Sequence, residues 1–328
     1  MSEPAPLDLA IIGSGPAGLC TADAALRAGL SVRVYDRGCL AESIHRFPTF
    51  MRFHSTKENL ELGGVPLVGP EDKPTRQEYL EYLRRFVTLR GLDVRLYTEV
   101  TRLERGPGEF TLHLRGRGGD EHVQRARFVT IATGGYDSPQ RLGVPGEDLP
   151  KVRHHFDEPH PYFRQRVMIA GGKNSAVETA LILARAGAHV TICHRGPGFA
   201  GVKYWLRPDI ENRIREGRIA ALMPAEVVAI EPLHVQVRLR ETGETRRVEN
   251  DVVLALIGFE PDLSFLARCG VAVDPATKQP VLDPQTLETN VPGLFCAGVI
   301  LGGSLSGMVF IENARHHGEQ IVAKIRGS

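Results

Sequence analysis

Apolar positions along the chain follow two alternating rhythms. LDLAIIG (7–13) is a short apolar run, LCTADAALRAG (19–29) spaces its apolar residues three and four apart, and SVRVYD (31–36) is again short and apolar. This predicts strand, helix and strand around the breaker-rich loop GSGPAG. The same succession returns at 166–195 as RVMIAG, GGKNSA, VETALILARAG and AHVTICHR, about 160 residues later. A unit reused at that distance is a doubled binding element rather than a short-period solenoid, so two nucleotides are expected.

The segments downstream of the two units are also alike. RARFVTIATGG (125–135) and ENDVVLALIGFEPD (249–262) both end an apolar strand in small residues and a turn. Between them SPQRLGVPGEDLPKV (138–152) has the Pro and Gly content of a crossing between domains. LETNVPGLFCAGVI (287–300) reads as a last buried strand, succeeded by a glycine-rich loop and the helical pattern MVFIENARHHGEQIVAKI. The expected fold is α/β with two Rossmann-like dinucleotide-binding domains. One comprises 1–151 and 281–328, and the other, 152–280, is inserted in it.

The first loop, Gly13-Ser-Gly15-Pro-Ala-Gly18, is a complete G-x-G-x-x-G. Gly13 permits the turn out of the strand, Gly15 lets backbone approach a pyrophosphate, and Gly18 lets the helix pack on the sheet. The helix start offers free N–H groups to the phosphates. Asp36, 21 residues after Gly15, stands where an acid takes the hydroxyls of an adenosine ribose. In the second loop, Gly171-Gly172-Lys173-Asn174-Ser175-Ala176, Lys173 replaces the second glycine. Either that loop has lost its ligand, or the phosphates sit further out beside the ammonium. The next strand ends in Cys193-His194-Arg195 instead of an acid, which suits a 2′-phosphate. FAD in the first loop and NADPH in the second is the economical assignment.

Charge changes little in this picture. Lys and Arg number 40 against 39 Asp and Glu, so nothing global calls for nucleic acid or an anionic membrane. The start MSEPAPLDLA lacks the form of a signal peptide, and no apolar run approaches a membrane span, so a cytoplasmic location is expected. Cys20, Cys39, Cys193, Cys269 and Cys296 are scattered singly, which is no disulfide framework and reads as five reduced thiols. His154, His155 and His160 in HHFDEPHPYF lie among two prolines with no cysteine, and no metal site is expected there.

GSGPAG, ATGG (132–135), TNVPGLFCAG (289–298) and the paired loops resemble the thioredoxin reductase-like flavoproteins. FPTFMRFHSTKENLELG (47–63), KPTRQ (73–77), PGEDLPKV (145–152), EPHPYF (158–163), GGKNSAVE (171–178), VKYW (202–205), PDIENRI (208–214) and FIENARHHGE (310–319) more closely resemble the bacillithiol disulfide reductase family. The likeness runs from about Leu9 to Ile325, and that family also carries Lys at the position of Lys173. It implies FAD lined by the first loop with Pro16 and Ala17, by Asp36 and Arg37, by His54, Ser55 and Thr56, by Thr133 and Gly134, and by Gly298 and Ile311. Phe47 and Phe53 would pack on the flavin or simply in the core. It implies NADPH lined by Gly171, Gly172, Lys173, Asn174, Ser175, His194, Arg195 and Lys203, with Tyr204 and Trp205 nearby.

Thioredoxin reductases hold a Cys-x-x-Cys just before the second loop, where this chain has HHFDEPHPYF. Bacillithiol-type reductases lack it too and carry a single cysteine in the first loop as GPCG. Here that position is Ala17, so the thiol mechanism does not transfer. Cys20, one helical turn on, is the nearest substitute, and it serves equally as a small apolar packing residue. The leading expectation is an NADPH-dependent FAD reductase of a low-molecular-weight thiol disulfide, a homodimer by resemblance. The alternatives are a thioredoxin reductase-like ferredoxin–NADP reductase and a flavin- and NADPH-binding redox sensor with little turnover.

Overall fold

Both glycine loops join a buried parallel strand to a helix. In the computed structural model, which describes residues 5–136, 138–304 and 308–327, strand β1 (Leu7–Ile12) leads to helix α1 (Pro16–Arg27) and strand β2 (Val32–Tyr35). Leu9 to Ile12 are all buried, because a parallel strand covered on both faces is apolar throughout instead of alternating. Helix α2 (Arg76–Arg90) comes next, closed at its start by a capping box between Thr75 and Glu78 and at its end by Gly91. Then come β3 (Val94–Arg95), β4 (Thr98–Arg105), β5 (Phe110–Gly116) and β6 (Glu121–Ile131). They form a sheet in the order β3-β2-β1-β6-β5-β4. The long β6 serves two purposes: its first half pairs antiparallel with β5, and its second half runs parallel to β1.

The second unit repeats the plan. Strand β7 (Val152–Arg153) precedes β8 (Arg166–Ala170), helix α3 (Asn174–Arg185), β9 (His189–Cys193) and β10 (Ile219–Leu222). An antiparallel meander, β11 (Ala225–Ile230), β12 (His234–Leu239) and β13 (Thr245–Glu249), leads to β14 (Val252–Ala255). The parallel sheet has the order β10-β9-β8-β14-β7. The chain then adds β15 (Leu294–Cys296) beside the end of β6 in the first sheet, and closes with α4 (Ile311–Ala314) and α5 (His317–Arg326).

Two compact units result, Met1–Ser138 with Glu260–Ser328, and Pro139–Phe259. The expected borders lay at 151/152 and 280/281, and packing explains the difference. Leu142, Val144 and Leu149 pack with Met168 and Val253 in the second unit, while Leu266 and Val271 join Ala10 and Ile131 in the first. The C-terminal helical pattern is likewise interrupted, at Arg315 and His316. α5 lies against α1 there so closely that a Cβ on Gly318 would stand 2.6 Å from the Thr21 Cα. Of the expected GGSLSG loop, residues 305–307 lie outside the described residues. No helix among the described residues is long and apolar enough to cross a membrane.

HHFDEPHPYF proves to be scaffold. Phe156 and Tyr162 enter the core of the second unit, the His155 ring lies tilted against Phe259 with centroids 5.1 Å apart, and His154 lies 3.9 Å from Glu147. His160 opens a short 3-10 helix.

Candidate functional site

The first loop is shaped by backbone contacts. Gly13 has φ +113°, and a Cβ there would stand 2.3 Å from the Ala132 carbonyl oxygen at the end of β6. A Cβ at Gly18 would stand 2.0 Å from the Gly13 carbonyl oxygen. At Gly15, by contrast, a Cβ would meet nothing within 4 Å. Two glycines are therefore required by the fold, while the third leaves open space over the start of α1. That opening, at a helix N-terminus led in by Pro16, fits a dinucleotide pyrophosphate.

Asp36 braces the same loop. Its Oδ2 accepts from the Ser14 amide and hydroxyl, each at 2.7 Å, and its Oδ1 from the Gly38 amide at 2.9 Å. Three of roughly four carboxylate acceptor positions are thus used within the chain, and one remains. Ser14 is fully buried, and its role was not readable from a variable position of the motif. Arg37, next along the chain, is exposed.

Around the far end of the loop, Ala17 is buried and touches the last-strand turn: a Cβ at Gly298, φ +84°, would stand 2.9 Å from the Ala17 Cβ. Ser55 donates to the Glu312 carboxylate, which joins the His54–Thr56 stretch to the helix opened by Ile311. Thr133 and Gly134 extend the turn after β6, beside Ala132 and Ser43. These expected flavin-lining positions therefore gather in the first unit. Phe53 is buried and packs on Tyr79 at 4.9 Å, a core role, while the half-buried Phe47 meets both Phe53 and Tyr136 edge-on. His317, left unassigned by sequence, accepts the Gly298 N–H on Nδ1 at 3.1 Å. Burial, with the neighbouring His316 adding to it, pushes its imidazole down to about 4.

Cys20 lines a cleft of ≈ 440 Å³ together with Asp23, Arg27, Glu61, Arg315 and Glu319. It is nevertheless 5% exposed, and burial followed by the Asp23 charge pushes its thiol up to about 12. The cleft's charges already satisfy one another. Arg27 and Arg90 both pair with the buried Asp23 at 3.1 Å, and Arg315 donates to the Glu58 carbonyl at 2.6 Å. Burial raises the other thiols as well, Cys269 to about 11 and Cys39, Cys193 and Cys296 to about 12. A thiol at such values is a poor nucleophile at neutral pH.

In the second unit, Gly171 repeats the role of Gly13: φ is +143°, and a Cβ would stand 2.4 Å from the Leu256 carbonyl oxygen. Lys173 caps α3 and is exposed, as are Ser175 and Arg195. The Asn174 side chain accepts from the Lys203 amide at 2.9 Å, so the VKYW segment is tied to the loop. The Lys203 ammonium lies 5.1 Å from the Trp205 ring, and Trp205 meets Tyr204 edge-on. His194 packs against Gly172 and Gly196, half-buried, and desolvation lowers its pKa. The loop start, the end of β9 and the 203 segment thus converge, with cations and an aromatic pair at a helix N-terminus. That arrangement fits a nucleotide carrying extra phosphate charge.

Known proteins share this layout. Residues 10–298 match the family model described as pyridine nucleotide-disulphide oxidoreductase. The bacilliredoxin reductase Bdr of Bacillus subtilis is 38% identical over 317 residues, 96% of each chain. The structure of the bacillithiol disulfide reductase Bdr from Bacillus cereus superposes with a TM-score of 0.96 at 35% identity, covering 98% of this chain and 99% of that one. Thioredoxin reductase from Lactococcus lactis gives 0.78 at 22% identity over 98% of both chains, a likeness of fold alone.

Proposed function

The chain belongs to the pyridine nucleotide-disulphide oxidoreductase family, and from that premise we propose that it is an FAD- and NADPH-dependent reductase of a low-molecular-weight thiol disulfide of the bacillithiol type. The observation that carries this reading is the end-to-end similarity to a bacilliredoxin reductase, 96% of each chain. Each disulfide reduced consumes one NADPH and one proton and releases two thiols. Bound FAD supplies the two-electron relay between NADPH and disulfide.

The chain's own residues hold the carriers. Gly13, Gly15, Pro16, Ala17 and Gly18 form the FAD phosphate cradle, with Asp36 and Ser14 keeping the loop in shape. Gly171 through Ser175 with His194, Arg195 and Lys203 form the NADPH cradle. Ala17 offers no thiol, and Cys20 is buried with a high pKa, so no cysteine of the chain takes a covalent part. In this role the enzyme acts as a homodimer in the cytoplasm.

The test is direct. Yellow protein is mixed with NADPH, the loss of flavin absorbance is monitored, and a disulfide panel or ferredoxin is added. Reoxidation by bacillithiol disulfide alone is expected; reoxidation by ferredoxin alone, or no bleaching at all, sinks the assignment.

A further inference from the structure

The start of α5 meets two other pieces of the first unit at one place. Beside it, the Ala297 amide still donates to the Ile131 carbonyl at 2.9 Å, as a strand residue does. One residue later Gly298 turns off with φ +84° and gives its N–H, at 3.1 Å, to Nδ1 of His317. On one side of that turn lies Ala17, in the first turn of α1, so close that a Cβ on Gly298 would stand 2.9 Å from it. On the other side, Gly318 presses on α1 itself: a Cβ there would stand 2.6 Å from the Thr21 Cα and 2.8 Å from the Cys20 carbonyl oxygen. The Gly298 turn and the start of α5 thus both lie hard against α1. The imidazole's bond to Gly298 is a side-chain tie between α5 and the turn, where the rest is packing.

We propose that His317 is a positioning residue for the flavin cradle, locking the turn at Gly298 against Ala17 by accepting the Gly298 N–H on Nδ1. This rests on the reading that the first loop holds FAD, since Ala17 and Gly298 are two of its cradle positions. Because Nδ1 accepts, the ring proton sits on Nε2. Burial, with the neighbouring His316 adding to it, keeps the ring neutral at working pH, the state in which it can accept. The charges on the elements packed against it are paired with one another: the buried Asp23 of α1 is held by Arg27 and Arg90 at 3.1 Å, and Arg27 lies 3.7 Å from Glu319 of α5. Beside Gly318, α1 presents Thr21 and the protonated Cys20, and the Gly298–Gly302 turn has no titratable side chain. His317 itself performs no chemistry. Losing the tie frees a partly buried N–H and lets two cradle segments drift apart, which a bound flavin feels as lost complementarity.

The experiment compares three variants in apo-protein reconstituted with FAD. His317→Asn keeps an acceptor where Nδ1 stands, His317→Gln moves it one carbon out of reach, and His317→Ala removes it. The FAD Kd of the Asn variant is expected within about threefold of wild type, and that of the Gln and Ala variants about tenfold weaker, the equivalent of one lost hydrogen bond. The visible flavin spectrum should shift in the latter two only. Should the Ala variant not fold, the Asn and Gln pair decides. A Gln variant binding FAD as tightly as the Asn variant, or an Asn variant as weak as Gln, overturns the inference. So does a fall in Tm with unchanged FAD Kd, which marks a merely structural role. Wild-type protein that takes up no FAD overturns the FAD reading itself instead.

Discussion

The ring of His194 rests on the backbone of Gly172, so close that a Cβ at Gly172 would stand 2.2 Å from the ring Cγ. Gly196 closes the other side, and the Phe199 ring lies nearly parallel, 12° off with centroids 6.4 Å apart. The extra glycine before Lys173 therefore makes room for an imidazole. In doing so it holds the end of β9, with Arg195 behind it, against the second loop.

Gly172→Ala should push His194 aside and disturb the nucleotide cradle without reaching the other unit. The KM for NADPH is expected to rise about tenfold or more while FAD content stays at the wild-type level. Steady-state kinetics with flavin quantification checks this, and loss of FAD with an unchanged KM would contradict it.

Arg195→Glu tests the phosphate assignment. A carboxylate facing a 2′-phosphate repels it, so kcat/KM for NADPH should fall at least about tenfold while that for NADH changes far less. Equal losses with both cofactors would remove Arg195 from recognition.

Gly13→Ala and Gly15→Ala should separate fold from ligand. At Gly13 the new methyl would collide with the Ala132 carbonyl, so the protein is expected to lose both Tm and FAD. At Gly15 the methyl has open space and an ordinary φ of −72°, so Tm of the apo-protein should hold while FAD affinity falls. Thermal denaturation with and without FAD reads the difference.

Cys20→Ala should leave disulfide turnover and flavin content unchanged. The intact Cys20 should also alkylate slowly at pH 8, because its thiol is pushed up to about 12. Mass spectrometry after iodoacetamide treatment measures the second, and rapid labelling there would restore Cys20 as a candidate nucleophile.

His317 also sets a pH dependence of stability. Its pKa in the folded chain is about 4, below the ordinary 6.5, so the unfolded state takes up a proton first as pH falls. The stability contribution is therefore whole above pH 6.5 and is lost as pH drops from there through about 4, on the order of 2 kcal/mol after allowing for partial exposure. The Tm of His317→Asn should show a shallower decline than wild type across that window.

Much of this protein is written in local pattern. The doubled strand–loop–helix unit, the roles of Gly13 and Gly18, and Ala17 in place of a thiol are all legible from residues a few positions apart, because turns and helix starts are short-range physics. The motifs that carry the family likeness are of the same local kind. Contacts between segments about twenty residues apart were not legible in that way. Asp36 was read as a ribose ligand, and the folded loop adds a second task, since its oxygens also accept from Ser14 and Gly38. His317 carried no signal, since a histidine at the start of a helix means nothing until Gly298 is folded beside it.

Sequence by itself determined that two nucleotide-binding elements share one α/β chain without a dithiol, since periodicity and glycine spacing are properties of neighbours along the backbone. Tertiary structure decided where each unit ends, that Cys20 is buried with its thiol held protonated, and which side chains brace the two loops. Burial and proximity are created only when distant segments pack, and they set both a thiol's pKa and a hydrogen bond's partner.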